Sequence, residues 1–428
     1  MNLRFHTPAA LTFVVAVVSI LLASTLDAGE LPVVAPEKVG LSRERLAHLS
    51  SAMQAEVNAK RKAGIVTLIA RNGRIAHLQA FGMADVEAGR KMQTDAYFRL
   101  YSMTKPVTSV ALLILYEEGR FQLSDPLDKY LPSFANMKVF SGEADGKMQF
   151  VDAKRKITIH DIFRHTAGLL YGFGSTPVDN AYRAAGINID SLASLQELTD
   201  KLASQPLAYQ PGERYVYSYA HDVQARLVEV LSGMKFDEFV SARITGPLGM
   251  KDTFFGVPSD RASRYTTSYV LDDRDNLLAV DTGRTESGRP GTAYKHFTKI
   301  PFGGHGLSSS ITDYAKFAQM LVNGGTLDGV RILGRKTVEL MTSDNLPSGV
   351  PGPAPGRGYG LGVGVVTSPA ERANLASTGQ FGWSGAATTL VIMDPKEKLV
   401  ALVFSQRLPH DSEFTSKFET LVYQALVE

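Results

Sequence analysis

The stretch Phe98-Arg99-Leu100-Tyr101-Ser102-Met103-Thr104-Lys105-Pro106, followed by the apolar run Val107 to Tyr116, constrains this chain more than any other. The run is too short to cross a membrane and too apolar to face water, so it predicts a central helix buried nearly all round. The first turn of that helix carries two reactive groups. With Ser102 at the helix start, Lys105 lies one turn on and on the same face, and its amine can approach the hydroxyl. Pro106 lacks an N–H and weakens the bond back to residue 102, which predicts a tight first turn over Ser102 to Lys105 rather than helix interior. Backbone N–H groups in such a turn point at any charge that develops beside Ser102. A serine hydroxyl is a poor nucleophile until a base takes its proton, and an amine held in an apolar cleft can be that base. On its own, the same tetrad is more often a serine that merely caps a helix.

The remaining composition narrows the function classes. With 428 residues, 44% of them hydrophobic, the chain can bury a large core in two packed regions. Lys and Arg number 45 against 43 Asp and Glu, and no basic block of the kind that binds nucleic acid occurs. No cysteine is present, which excludes disulfides, a thiol nucleophile and cysteine metal sites. Met1-Asn2-Leu3-Arg4 and the apolar run Ala9 to Ala23 predict a signal peptide over residues 1–28, hence a periplasmic or secreted protein with no stable membrane association after cleavage. An uncleaved N-terminal anchor is the alternative.

Ser42 caps a predicted helix to about Lys62, with Leu46, Leu49, Met53 and Val57 on its apolar face. The runs Gly64 to Ala70 and Arg74 to Phe81 flank Asn72-Gly73, a hairpin signal. His77 is expected as a half-exposed strand residue. From Ser109 to Phe317 helical runs dominate, including Ile157 to His165, Leu192 to Lys201 and His221 to Leu231. Gly172, Gly174 and Gly186 mark a long, mobile connection that could rim a pocket. The alternating Tyr215, Tyr217 and Tyr219 suit one face of a strand or extended loop. Glycines 303, 304 and 306 predict a tight turn feeding a helix from Ser310, with His305 lining a cleft. Strand signals return at Gly360 to Val366, Gly379 to Asp394 and Lys398 to Ser405, and a helix over Phe414 to Leu426 closes the chain.

Tyr101-Ser102-Met103-Thr104-Lys105, Glu118-Gly119-Arg120, Leu123-Ser124-Asp125-Pro126-Leu127 and Ile162 to Leu169 arrive in an order that resembles the serine beta-lactamase and penicillin-binding-protein superfamily. The resemblance is to its class C-like branch, and most of all to the family VIII carboxylesterases, over roughly residues 40 to 425. It implies an α/β fold in which residues 40–100 and 330–428 build an antiparallel sheet flanked by helices. An inserted, mostly helical region, 101–329, would carry Ser102 and Tyr217. It further implies Ser102 as nucleophile, with Lys105 and Tyr217 moving its proton. Tyr217-Ser218-Tyr219 stands where the family has Tyr-x-Asn, and Tyr219 lacks the amide suited to a substrate side chain. Trp383-Ser384-Gly385 stands at the family's Lys-Thr-Gly, on an edge strand, where Trp383 replaces a carboxylate-binding cation with an apolar plate. Ser384 and Gly385 would line the pocket, and the N–H groups of Ser102 and Ala386 would form the oxyanion hole.

The expected activity is therefore hydrolysis of small, largely apolar esters without metal or organic cofactor. A beta-lactamase or D-amino-acid peptidase of the same fold is the alternative. A non-catalytic binding protein would have lost a member of the Ser-Lys-Tyr set, and none is lost. The partner is a small-molecule ester, not nucleic acid, and the chain could act as monomer or dimer.

Overall fold

The computed structural model describes residues 28–187, 192–280 and 300–428. The expected signal peptide falls outside the described residues except for Ala28.

Eight strands form the main sheet: β1 (Gly64–Arg71), β2 (Arg74–Asp85), β3 (Arg90–Lys91), β4 (Arg357–Tyr359), β5 (Gly364–Val366), β6 (Phe381–Gly385), β7 (Thr389–Asp394) and β8 (Leu399–Ser405). Their order is β4-β5-β6-β7-β8-β1-β2-β3, with every neighbouring pair antiparallel. The N-terminal hairpin thus docks on the last long strand, in a register that runs from Ile65 opposite Ser405 to Arg71 opposite Leu399. Asn72 and Gly73 turn that hairpin with φ of 53° and 73°, a backbone that asparagine and glycine adopt most readily.

Around the sheet pack α1 (Arg43–Asn58), α2 (Thr104–Glu117), α3 (Ala220–Ser232), α4 (Ile311–Val322) and α5 (Ser412–Tyr423), among shorter helices. Period-two alternation sends each strand's side chains to opposite layers. Ile65, Ile69, Leu399, Ala401 and Val403 meet Leu49 and Met53 of α1 and Phe414, Phe418 and Val422 of α5. Val66, Leu68, Val400, Leu402 and Phe404 face the larger core, shared with Val107 and Val110 of α2 and Phe317 of α4. Each such side chain contributes roughly 1.5–3 kcal/mol by burial. Sandwiched this way, β1 and β8 read as continuous apolar runs, the pattern of strands buried on both faces. α2 is buried at every position from Thr104 to Leu115, as its all-round apolar sequence requires.

Four local expectations differ from the structure. The region 101–329 holds a hairpin, Lys138–Ala144 with Lys147–Asp152, turned at Asp145-Gly146. Its strands are largely exposed and lack an apolar face to announce them. The connection around Gly172 to Gly186 is not a loose rim. It contains a helix, Pro177–Ala184, whose capping box pairs Thr176 with Asp179, and Asp179 also receives the N–H of Gly174. His77 is only 7% exposed. Its Nε2 meets Thr67 Oγ1 at 2.7 Å, and burial brings its pKa down to about 4, so it is a neutral interior group. Finally, β6 is not an edge strand: it pairs with β7 throughout and with β5 at Phe381 and Gly382. Only the stretch from Trp383 to Gly385 has an open side, because β5 ends there.

Candidate functional site

A three-stranded ribbon brings the serine segment to the glycine turn, pairing Arg99 with Ser308 and Phe98 with Ser309. Leu100 N donates to Leu307 O at 2.9 Å, and Leu307 N to Thr104 Oγ1 at 3.1 Å. Tyr101 then takes a φ of 48°, a left-handed conformation uncommon for an aromatic residue, held by these contacts on either side. A 3-10 turn follows over Tyr101–Met103, and α2 begins at Thr104. Pro106 falls in the first turn of α2, where its missing N–H costs nothing. The tight turn expected from Pro106 is what the chain forms. Its bonds run from Met103 N to Leu100 O and from Thr104 N to the carbonyls of Tyr101 and Ser102, leaving the Ser102 N–H outside them.

Lys105 is fully buried, and its Nζ donates to Ser102 Oγ at 3.1 Å and to Gly304 O at 2.7 Å. The amine also lies 4.5 Å from the Tyr217 ring centre and 5.5 Å from that of Tyr171. Beyond the Gly304 peptide stands Asp222, whose Oδ1 accepts from Gly304 N at 2.9 Å. A Cβ on Gly304 would sit 2.7 Å from Asp222 Oδ2 and 3.0 Å from the Tyr171 hydroxyl, so only glycine fits. Burial pushes the Asp222 carboxyl up to about 6, against the lowering effect of the Lys105 charge and of backbone N–H donors.

Tyr217 lies in an extended segment ahead of α3, and Trp383 Nε1 donates to its hydroxyl at 3.3 Å. His165 packs on the Tyr217 ring at 4.8 Å and accepts the Ser218 N–H at Nδ1. Burial, aided by the Lys105 charge, holds His165 and His221 well below the ordinary histidine range, so both face the lysine uncharged.

The structure thus brings Ser102, Lys105, Tyr217 and Trp383 together, as the sequence predicted. Three other expectations change. Tyr219 is 3% exposed and packs against Tyr171 at 4.6 Å, so it backs the wall of the site and does not line it. His305 is stacked on Phe302 at 4.7 Å and buried inside the glycine turn, where burial and the charges of Arg99 and Lys105 hold it well below its ordinary range. Gly385 is required by the chain itself: a Cβ there would lie 2.3 Å from Leu100 O. Ser384 and Ala386 are half-buried beside it, and Ala386 lies in a turn closed by Thr388 N on Gly385 O at 3.1 Å.

Asp222, Tyr171, Tyr359 and Arg357 were not singled out from the sequence as site residues. Tyr359 meets Trp383 edge-on at 5.1 Å, and the Arg357 guanidinium lies 5.3 Å from the Trp383 ring. Asp222 is in sequence an acidic residue in the first turn of α3, and only its contact with Gly304 sets it apart. Among the described residues no cluster of three His, Asp or Glu is arranged to hold a metal ion, and no helix is long and apolar enough to cross a membrane.

A family profile described as "Beta-lactamase" matches residues 49–424. Protein Rv1367c of Mycobacterium tuberculosis is 35% identical over 360 residues, which is 81% of this chain and 86% of that protein. Esterase EstB of Burkholderia gladioli is 36% identical over 227 residues, 52% of this chain and 54% of that one. Among solved structures, EstCE1, described as a hydrolase with promiscuous acyltransferase activity, superposes with a TM-score of 0.76 at 25% identity, covering 89% of this chain and 99% of EstCE1. Simvastatin synthase of Aspergillus terreus shares the fold, with a TM-score of 0.75 at 24% identity over 89% of this chain and 98% of that one.

Proposed function

The chain belongs to the beta-lactamase family and is a serine-hydrolase-type enzyme, and we propose that it is a carboxylesterase whose acyl-enzyme forms on Ser102. The observation that carries the ester reading is Trp383, whose indole N–H holds the Tyr217 hydroxyl at 3.3 Å where the beta-lactamase branch has a lysine. The likeness to EstB and EstCE1, both named for hydrolysis, supports the same reading.

In the proposed reaction Ser102 Oγ attacks the ester carbonyl carbon while its proton passes to the Lys105 and Tyr217 pair. The tetrahedral oxyanion is received by the N–H groups of Ser102 and Ala386; a donor of this kind is worth roughly 10²–10³ in rate. Collapse expels the alcohol, which leaves with the proton from Tyr217. Water then enters by the same route, and its attack on the acyl-enzyme releases the acid and restores Ser102. Lys105 is suited to this role because its one short bond to Gly304 O fixes the amine against Ser102. The export suggested by the N-terminal apolar run belongs with this reading as a proposal.

Steady-state kcat/KM for a short-chain nitrophenyl ester and for a chromogenic cephalosporin tests the assignment. We expect ester turnover far above cephalosporin turnover, with both abolished in Ser102→Ala. The reverse ranking would make this a beta-lactamase, and unchanged turnover in the variant would remove Ser102 from the mechanism.

A further inference from the structure

Trp383 replaces a cation by an apolar plate, yet the fold lays another cation on that plate. Arg357 stands on the short outer strand β4, two residues before Tyr359, and its guanidinium lies 5.3 Å from the Trp383 ring centre. Gly364, which stands opposite Tyr359 in the β4–β5 pair, makes room for it: a Cβ there would lie 2.6 Å from Arg357 Nε. The residue is half-buried, and its partial burial, with the nearby Arg372 charge, pulls its proton affinity below that of an ordinary arginine.

No carboxylate pairs with Arg357 among the described residues, and its Nε is buried without a hydrogen-bond partner. Glu419, the acid nearest in effect, is taken by Arg372 through bonds of 2.8 and 3.1 Å. Arg372 itself is a second cation near Arg357, and the phenols of Tyr215 and Tyr359 that also face it carry no charge because burial raises both far above neutrality. A half-buried guanidinium with one donor shut off from any partner keeps its remaining donors free for an anion. Its planar donors match a carboxylate, and its position beside Trp383 sets that carboxylate at the end of the same wall that holds Tyr217.

We propose that Arg357 is a specificity residue that receives a carboxylate on the substrate, so that the preferred esters are monoesters of dicarboxylic acids or similarly anionic acyl esters. The site rests on the esterase reading and sharpens its substrate class from apolar esters to esters bearing one anionic end. Arg357 acts on binding and takes no part in proton transfer.

The test compares nitrophenyl monoesters of six- and eight-carbon dicarboxylic acids with nitrophenyl esters of monocarboxylic acids of the same lengths. The wild type should favour the anionic ester, chiefly through a lower KM. In Arg357→Gln the ratio of anionic to neutral kcat/KM should fall roughly 10- to 100-fold, and Arg357→Lys should recover part of it. The ratio removes any general loss from altered packing, because a purely structural role would lower both esters together. An unchanged ratio, or a wild type that prefers the neutral ester, would overturn the assignment. Failure of the wild type to hydrolyse either ester is a different result, and it would overturn the esterase reading itself.

Discussion

At the scale of single residues, the site is a chain of contacts from Ser102 through Lys105 and Gly304 to Asp222. The first link was legible, because serine and lysine sit three apart and helix geometry fixes their approach. The last two were not, since Gly304 and Asp222 are 82 residues apart and nothing in either segment names the other. Arg357 was hidden for the same reason: its partner surface, Trp383, belongs to another strand. Asp222 also yields a stability prediction. Its folded pKa of about 6 exceeds the ordinary value of 3.8, so the folded state holds this proton more tightly than the unfolded chain. Its contribution to stability is therefore full below about pH 4 and is lost as pH rises through about 6. Asp222→Asn keeps an uncharged acceptor and should escape that loss. Between pH 4 and pH 7 the variant should gain about 2–3 kcal/mol relative to wild type in urea unfolding. Parallel stability curves for the two proteins would show that Asp222 ionises as freely folded as unfolded.

At the scale of elements, legibility followed burial. The Asn72-Gly73 hairpin, the α2 core helix and the Ser310-capped α4 were all announced by strong local chemistry, and all formed. The hairpin at residues 138–152 went unread because its exposed strands carry no burial pattern, although Asp145-Gly146 is a turn signal in its own right. The contact of β6 with the serine turn gives the sharpest test at this scale. Gly385 packs directly on the Leu100 carbonyl, with no space for a methyl group. Gly385→Ala should cost roughly 1–3 kcal/mol by overpacking and should also push the serine turn away from β6. Thermal unfolding and ester kcat/KM measured together would show stability and activity falling in step. Full activity at wild-type stability would mean that the two elements are not coupled through this contact.

At the scale of the whole molecule, the sheet is closed by strands from opposite ends of the sequence. β1 pairs with β8 across more than 300 residues, a register that no local pattern encodes. The family resemblance supplied what periodicity could not, namely that a helical insertion separates the two halves of one sheet. This arrangement explains where the site lies. Ser102 begins the helix that runs into the core, and the residues facing it come from both the insertion, through Tyr217, and the sheet, through Trp383. The central claim is that these parts converge to carry an acyl group on one serine. Quenching the enzyme during its first turnover of a slowly hydrolysed ester, then measuring intact mass and mapping the modified peptide, tests it directly. The account predicts a mass gain of one acyl group on the peptide containing Ser102. Product formation with no acylated protein, or an acyl group on any other residue, would contradict it.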